Sequence, residues 1–352
     1  MADTSLDDII TGPRSAERLI GHEAQQAAFL QSLHNNTLHH AWLLTGPQGI
    51  GKATFAWLAA KHVLTASTDE AGDSLFGDAP PAATKFSASL ENPEIHRISI
   101  GGHADLRVLS IEENPKTKKM RTEIIIDQVQ ALHSLFGMSS GEGGWRVVII
   151  DSVDDLNRNA ANALLKMLEE PPANCLFFLV SHRPGRLLPT IKSRCRLLGF
   201  KRLTDEQLED YLASIGKNGD TLIRDLASGS PGRALQLLDM NANRVAADMT
   251  SLLKDMPPIT PQLIKPYQSS DEATALALEF LDSILCGAAG AHTPMPFREA
   301  ASMLAQKTSG ETLDKLSQDL RQMSAQQAGL RMDRGFFWLA VGETLRNRLG
   351  SG

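Results

Sequence analysis

The 352-residue sequence contains no run of about 18 or more apolar residues, so no membrane-spanning helix is expected. Its first residues, Met1-Ala2-Asp3-Thr4-Ser5-Leu6-Asp7-Asp8, lack the apolar core of a signal peptide, and a cytoplasmic location is the expectation. Cysteine is scarce: Cys175, Cys195 and Cys286 are far apart, no Cys-x-x-Cys pair exists, and neither zinc nor a dithiol redox motif is expected. Cys175 and Cys195 lie in or beside apolar runs and read as core thiols. An excess of positive charge is also missing, since 35 Lys and Arg face 41 Asp and Glu for a net charge of −6. That balance argues against a protein whose whole surface binds nucleic acid. It leaves room for one basic face, or for an assembly in which other chains make the phosphate contacts.

What is present centres on Gly46-Pro47-Gln48-Gly49-Ile50-Gly51-Lys52-Ala53-Thr54. The apolar run Ala41–Thr45 before it reads as a buried strand. Phe55, Leu58, Ala59 and Val63 after it recur with helical spacing. Strand, glycine-rich turn and helix form the setting of a phosphate-binding loop, where backbone N–H groups and the helix N-terminus converge on an anion. Gly46, Gly49, Gly51 and Lys52 are the candidate phosphate ligands. The hydroxyl expected directly after the lysine, a Mg²⁺ ligand in working NTPases, is absent, because Ala53 stands there. Thr54 is one residue late, about 100° further round the helix. The loop is therefore either a working nucleotide site or a relic.

A second gap follows the run Arg146–Asp151. Asp151 ends this buried strand where a Mg²⁺-holding aspartate belongs, but Ser152 occupies the next position, and a serine cannot activate water as a glutamate does. Asp154, three residues on, either stands in for the missing acid through an unusual geometry or, with Asp155, starts the following helix, Asn157–Glu170, which Pro171-Pro172 ends. Leu176–Val180 is another buried strand. Ser181 at its end either senses a nucleotide phosphate or caps the loop.

The remaining chain gives a coarse map. Residues 14–37 read as one or two helices around a turn at Ile20-Gly21-His22. Residues 66–92, rich in Ala, Ser, Asp, Gly and Pro, read as a surface loop or mobile insertion. Ile95–Ile100 reads as a strand. Residues 101–122 read as polar loop, with a basic run at Lys116, Lys118, Lys119 and Arg121 that is either solvated or a contact for DNA or a partner. A helix after Ile126 carries Val129, Leu132, Leu135 and Phe136, and Gly141–Gly144 forms a turn. Leu187–Arg194 is a short helix and Cys195–Phe200 a final strand. Five strands alternating with helices predict a parallel α/β sheet covered on both faces. Three short helices follow, at 205–215, 221–226 and 232–240. Beyond residue 246 the pattern is helical, with Ala273, Leu276, Ala277, Phe280 and Ile284 on one face and Phe336, Phe337, Ala340 and Leu345 on another.

The stretch from Asn162 to Pro172, with Leu164-Leu165-Lys166-Met167-Leu168-Glu169-Glu170, resembles bacterial clamp-loader subunits, as do Ser193-Arg194-Cys195 and His39–Leu44. The resemblance covers residues 14–240 well and the rest in outline. It implies an AAA+ P-loop parallel sheet over residues 1–200, a helical lid at 201–243 and an all-α C-terminal collar at 244–352. Within that family the ATPase members, gamma or tau, keep the loop hydroxyl, an Asp-Glu pair and four zinc cysteines, and this sequence departs on all three. The pattern with Ser-Arg-Cys retained resembles the delta-prime branch, which implies a silent subunit of a five-membered ring that opens a sliding clamp and places it on primed DNA. The implied partners are gamma or tau, delta, the clamp and, through the complex, DNA. Arg194 is then an arginine finger acting in trans; the plain alternative is that Arg194 and Arg196 only solubilise a strand start. Arg233 matches a second sensor in the lid, and in a dead site it would pair with an acid instead. ATP or ADP binding without hydrolysis remains open. The competing expectation is a self-sufficient gamma-like ATPase.

Overall fold

The computed structural model describes residues 12–69, 83–137, 144–255, 260–268, 270–330 and 333–349. A 3₁₀ turn at Gly12–Ser15 precedes helix α1 (Glu23–His34), strand β1 (Ala41–Thr45) and helix α2 (Lys52–Asp69). Helix α3 (Pro93–Ser99), strand β2 (Leu106–Leu109), helices α4 (Ile126–Gln130) and α5 (Leu132–Gly137) and strand β3 (Arg146–Asp151) follow. Helix α6 (Arg158–Glu169), strand β4 (Cys175–Ser181), helix α7 (Pro189–Lys192) and strand β5 (Arg196–Gly199) complete the α/β part. The five strands form one parallel sheet in the order β2-β3-β4-β1-β5.

The period-2 geometry of strands divides the apolar residues between the two faces. Val147 and Ile149 pack with Trp42, Phe178 and the α2 residues Phe55 and Ala59 on one side. Val148 and Ile150 pack with Leu43, Phe177 and the α6 residues Leu164 and Leu168 on the other. Both faces are covered, so β1, β3 and β4 are apolar almost throughout, as a buried parallel sheet requires. On the first side Phe29 of α1 meets Trp42 edge-on at 5.2 Å and Phe55 at 5.8 Å.

Several sequence expectations need correction. Residues 95–99 belong to α3, with Ile100 as its C-cap, and not to a strand. The Asn92 side chain accepts the N–H groups of Glu94 and Ile95, Pro93 follows in the first turn, and Ile95 and Ile98 are buried at helical spacing. The missing strand is β2, inside the stretch read as polar loop. The 66–92 reading is shortened at its start, while residues 83–92 do form an irregular, mostly exposed stretch that is pinned at two points. Helix α2 continues to Asp69, and Phe86 and Ala88 are buried, with the Phe86 N–H donating to Gln26 Oε1 at 3.0 Å. Residues 70–82 lie outside the described residues, as do 141–143 of the Gly141–Gly144 turn. The helix expected after Ile126 is broken between α4 and α5, while Val129, Leu132 and Leu135 are buried as expected. The basic run is an exposed loop built around Asn114, whose Oδ1 accepts the Lys116 and Thr117 N–H groups; Lys118 pairs with Glu113 at 3.7 Å.

The chain divides into two compact units, residues 1–211 with 229–231, and residues 212–228 with 232–352. Helix α8 (Asp205–Ser214) crosses the first boundary. Helices α9 (Thr221–Ala227), α10 (Pro231–Asp239), α11 (Ala242–Asp255), α12 (Pro261–Gln268), α13 (Asp271–Ala288), α14 (Arg298–Lys307), α15 (Gly310–Leu330) and α16 (Arg334–Leu349) follow, with no strand among the described residues there. The α13 face expected from periodicity is buried at Leu276, Ala277, Phe280 and Ile284. On α16 the face is shifted: Phe337, Trp338, Val341 and Leu345 are buried, and Phe336 is 71% exposed. Among the described residues no helix is long and apolar enough to cross a membrane.

The cap at Asn92 gives the α3 correction a test. Asn92→Ala should lower the unfolding free energy by about 1 kcal/mol, read by urea denaturation. A strand at this position would show no such loss.

Candidate functional site

The phosphate loop turns out of β1 into α2 through three glycines with positive φ: Gly46 at 145°, Gly49 at 75° and Gly51 at 101°. At Gly46 a Cβ would lie 2.5 Å from the Phe200 carbonyl oxygen, so both conformation and space demand glycine there. Lys52 opens α2 and is only 2% exposed. Its ammonium donates to the Gly46 carbonyl at 2.7 Å and to the Pro47 carbonyl, folding back over its own loop. Burial pushes its pKa down to about 8, against the pull of Asp151 and Asp154. Thr54 is half-buried one position further on, and Ala53 has no donor to offer a metal.

Two contacts that sequence reasoning missed hold the loop from outside. His22 Nε2 lies 2.8 Å from the Ile50 carbonyl oxygen, so that nitrogen carries the hydrogen, and its ring meets Phe200 edge-on at 4.8 Å. Burial holds the His22 pKa below the ordinary value and keeps the ring neutral. The Ser230 hydroxyl donates to the Gln48 carbonyl at 3.1 Å. Neither has a periodic signal, because each joins segments remote in the chain.

Asp151 stands at the end of β3, and burial raises its pKa while His182 and Lys52 lower it. Ser152 is buried and donates its hydroxyl to Asp155 Oδ2 at 3.0 Å. Asp154 neither caps α6 nor faces open water. Its carboxylate accepts the Ser181 hydroxyl at 2.9 Å, the His182 N–H and the Arg183 N–H at 3.2 Å, tying the turn after β4 to the turn after β3. Asn157 caps α6 instead, accepting the Ala160 N–H at 2.9 Å. Ser181 is thus engaged with Asp154 in this structure. His182 sits beside the acids with its pKa lowered, burial leading, and its Nδ1 is buried without a hydrogen-bond partner among the described residues.

The structure brings Gly46, Gly49, Gly51, Lys52, Asp151 and Ser181 to one edge of the sheet, where β1, β3 and β4 end. Arg194 lies at the other edge. It precedes β5, whose Arg196 pairs in register with Trp42 near the start of β1. From Trp42 to Gly46 is four strand steps, about 13 Å. Arg194 bonds Glu169 at 2.7 Å, the Thr190 carbonyl at 3.1 Å and the Ser193 hydroxyl at 3.3 Å. Its neighbours are structural: burial pushes the Cys195 thiol up to about 12, and Arg196 covers the Trp42 ring at 4.8 Å and donates to Ser32 Oγ. Arg233, in the second unit, pairs with Glu279 of α13 and donates to Gln236 at 2.8 Å. Removing the Asp154 clamp should expose its structural role. Asp154→Ala should destabilise the chain by about 1.5–3 kcal/mol in chemical denaturation, since hydrogen bonds to a charged group carry that much.

Comparison with known proteins places this arrangement. The family model described as "DNA polymerase III, delta subunit" matches residues 21–204, just over half of the chain. DNA polymerase III subunit delta' of Pseudomonas aeruginosa is 38% identical over 171 residues, covering 48% of this chain and 46% of that protein. The Bacillus subtilis subunit delta' is 35% identical over 181 residues, 51% of this chain and 48% of that protein. The tau/gamma subunit of Haemophilus influenzae is 30% identical over 264 residues, 69% of this chain and 34% of that protein. The chain thus spans about half the length of the delta' relatives it matches. With the phosphate loop, the parallel sheet and the match over residues 21–204 in agreement, the chain belongs to the DNA polymerase III delta-prime clamp-loader family.

Proposed function

We propose that this protein is a cytoplasmic clamp-loader subunit that does not hydrolyse ATP itself and completes the ATP site of a neighbouring gamma or tau subunit with Arg194. The observation that carries this reading is the position of Arg194 at the edge of the sheet opposite the chain's own phosphate loop. An arginine there serves a second chain or none. Its planar, permanently charged guanidinium suits the oxygens of a transferring phosphoryl group. The remaining partners are delta, the sliding clamp and, through the assembly, primed DNA.

The chain's own site supports silence. Hydrolysis needs a metal held by a loop hydroxyl and a group that activates water. Ala53 lacks the first, so the residues present do not fit a catalytic Mg²⁺. Ser152 and Asp154 do not supply the second, because one is bonded to Asp155 and the other to the turn after β4. These features disfavour a self-sufficient gamma-like ATPase. The loop does fit phosphates: the N–H groups at the start of α2 and Lys52 would hold them, and a bound nucleotide would supply only its charge. The chain takes up ATP or ADP weakly and does not turn it over. Arg233 is engaged with Glu279 and takes no part in this reading.

Arg194→Ala in a reconstituted complex should leave assembly intact by size exclusion and slow single-turnover hydrolysis at the neighbour's site by about 10³-fold or more, with clamp loading falling alongside. Unchanged hydrolysis in an intact complex would overturn the trans role. Nucleotide binding to the isolated chain carries its own pH signature. Phosphate needs Lys52 charged, and its pKa in the free chain is about 8. Affinity for ADP should be flat below pH 8 and fall as pH rises through 8 to 9, approaching about tenfold per pH unit, measured calorimetrically.

A further inference from the structure

Arg194 is not held ready in open solvent. Its Nη2 lies 2.7 Å from Glu169 Oε1, and its Nη1 serves the Thr190 carbonyl and the Ser193 hydroxyl. Both arms of the fork that would grip a phosphate are therefore in use. The carboxylate cancels the charge that makes an arginine useful, and it would repel phosphoryl oxygens brought to the same nitrogen.

Glu169 is also badly placed for its own helix. It is the last residue of α6, with Glu170 as C-cap, so two carboxylates stand at the negative pole of the helix dipole. Helix stability alone does not favour acid there. Arg194, from the turn after α7, adds a cation there to Lys166 of the last turn. The pair is partly exposed, 34% for Arg194 and 47% for Glu169, so water screens it and the contact is easily exchanged.

We propose that Glu169 is a latch on Arg194: it occupies the guanidinium in the free subunit and yields it to the triphosphate of a neighbouring chain, then recaptures it when the terminal phosphate leaves. The proposal rests on the trans reading of Arg194 and adds the residue that conditions it. Glu169 acts through Arg194 and touches no nucleotide. When Arg194 departs, Glu169 loses its ion-pair partner and two carboxylates face the helix end with only Lys166 of the last turn beside them, and that favours the return. The subunit's grip on its neighbour thereby tracks whether that neighbour holds triphosphate.

The test compares the affinity of the full chain for the neighbouring ATPase subunit with a non-hydrolysable ATP analogue and without nucleotide, and reads the ratio. Glu169→Gln keeps the shape and removes the charge. It should raise the ratio about twofold to fivefold, the range open to an exposed ion pair. The double variant Glu169→Gln with Arg194→Ala should behave as Arg194→Ala alone, with the nucleotide-dependent gain abolished. A ratio in Glu169→Gln equal to or below wild type, while Arg194→Ala still loses the gain, overturns the latch and leaves the trans role standing. A gain that persists in the double variant also overturns it. If Arg194→Ala keeps the wild-type ratio, the trans role itself fails and the latch with it.

Discussion

Because all five strands run the same way, whatever follows a strand lies at one edge of the sheet and whatever precedes a strand lies at the other. The chemistry is sorted by that rule. Gly46 to Lys52 follow β1, Asp151 and Ser181 end β3 and β4, and all meet at one edge. Arg194 precedes a strand and is carried to the opposite edge by the register of β5 on β1. No side-chain rotation closes a gap of about 13 Å along the strands, so one molecule cannot bring its own arginine to its own loop. On the proposed reading, a parallel sheet of this kind keeps the phosphate loop and Arg194 apart within one chain, and only a second chain could bring an arginine to a loop.

Within the loop edge, the polar groups are mostly engaged with one another. Lys52 satisfies the carbonyls of Gly46 and Pro47, Ser152 satisfies Asp155, and Asp154 gathers the Ser181 hydroxyl and two backbone N–H groups. Buried polar atoms need such partners, and the bonds to Asp154 occupy the one nearby acid that could otherwise approach a water. The engaged network supports the proposed silence beyond what the missing hydroxyl does alone. Ala53 removes a metal ligand, whereas the Asp154 clamp removes the nearest substitute base.

Much of this was legible from residues alone, and the failures have physical causes. Strands β1, β3 and β4 show as unbroken apolar runs because both of their faces are covered. Strand β2 is four residues long, interrupted by the exposed Arg107 and at the sheet's edge, so it reads as loop. Helix α3 reads as a strand by the alternation of Ile98 and Ile100, although Asn92-Pro93 gives a start signal and Ile95 and Ile98 are three apart. The phosphate loop and Arg194 were visible through their spacing. Their partners were not: His22 on Ile50, Ser230 on Gln48 and Glu169 on Arg194 each join residues far apart in sequence, and a single polar contact leaves no period to detect.

The fate of the two lysine-loop neighbours follows from what each touches. Lys52 is buried and bonds two backbone carbonyls of the loop, so removing it leaves those acceptors without a partner whether or not a nucleotide ever binds. The residue after it has no such duty. A hydroxyl there serves a metal, and an alanine leaves the helix start intact, with good helix propensity. The presence of Lys52 is therefore weak testimony for catalysis, and Ala53 is strong testimony against it. The same reasoning applies at the opposite edge. Arg196 is fixed by Trp42 and Ser32 and is accounted for by packing. Arg194 is held only by exchangeable, partly exposed contacts, and that is the state in which a charged group remains available to another molecule.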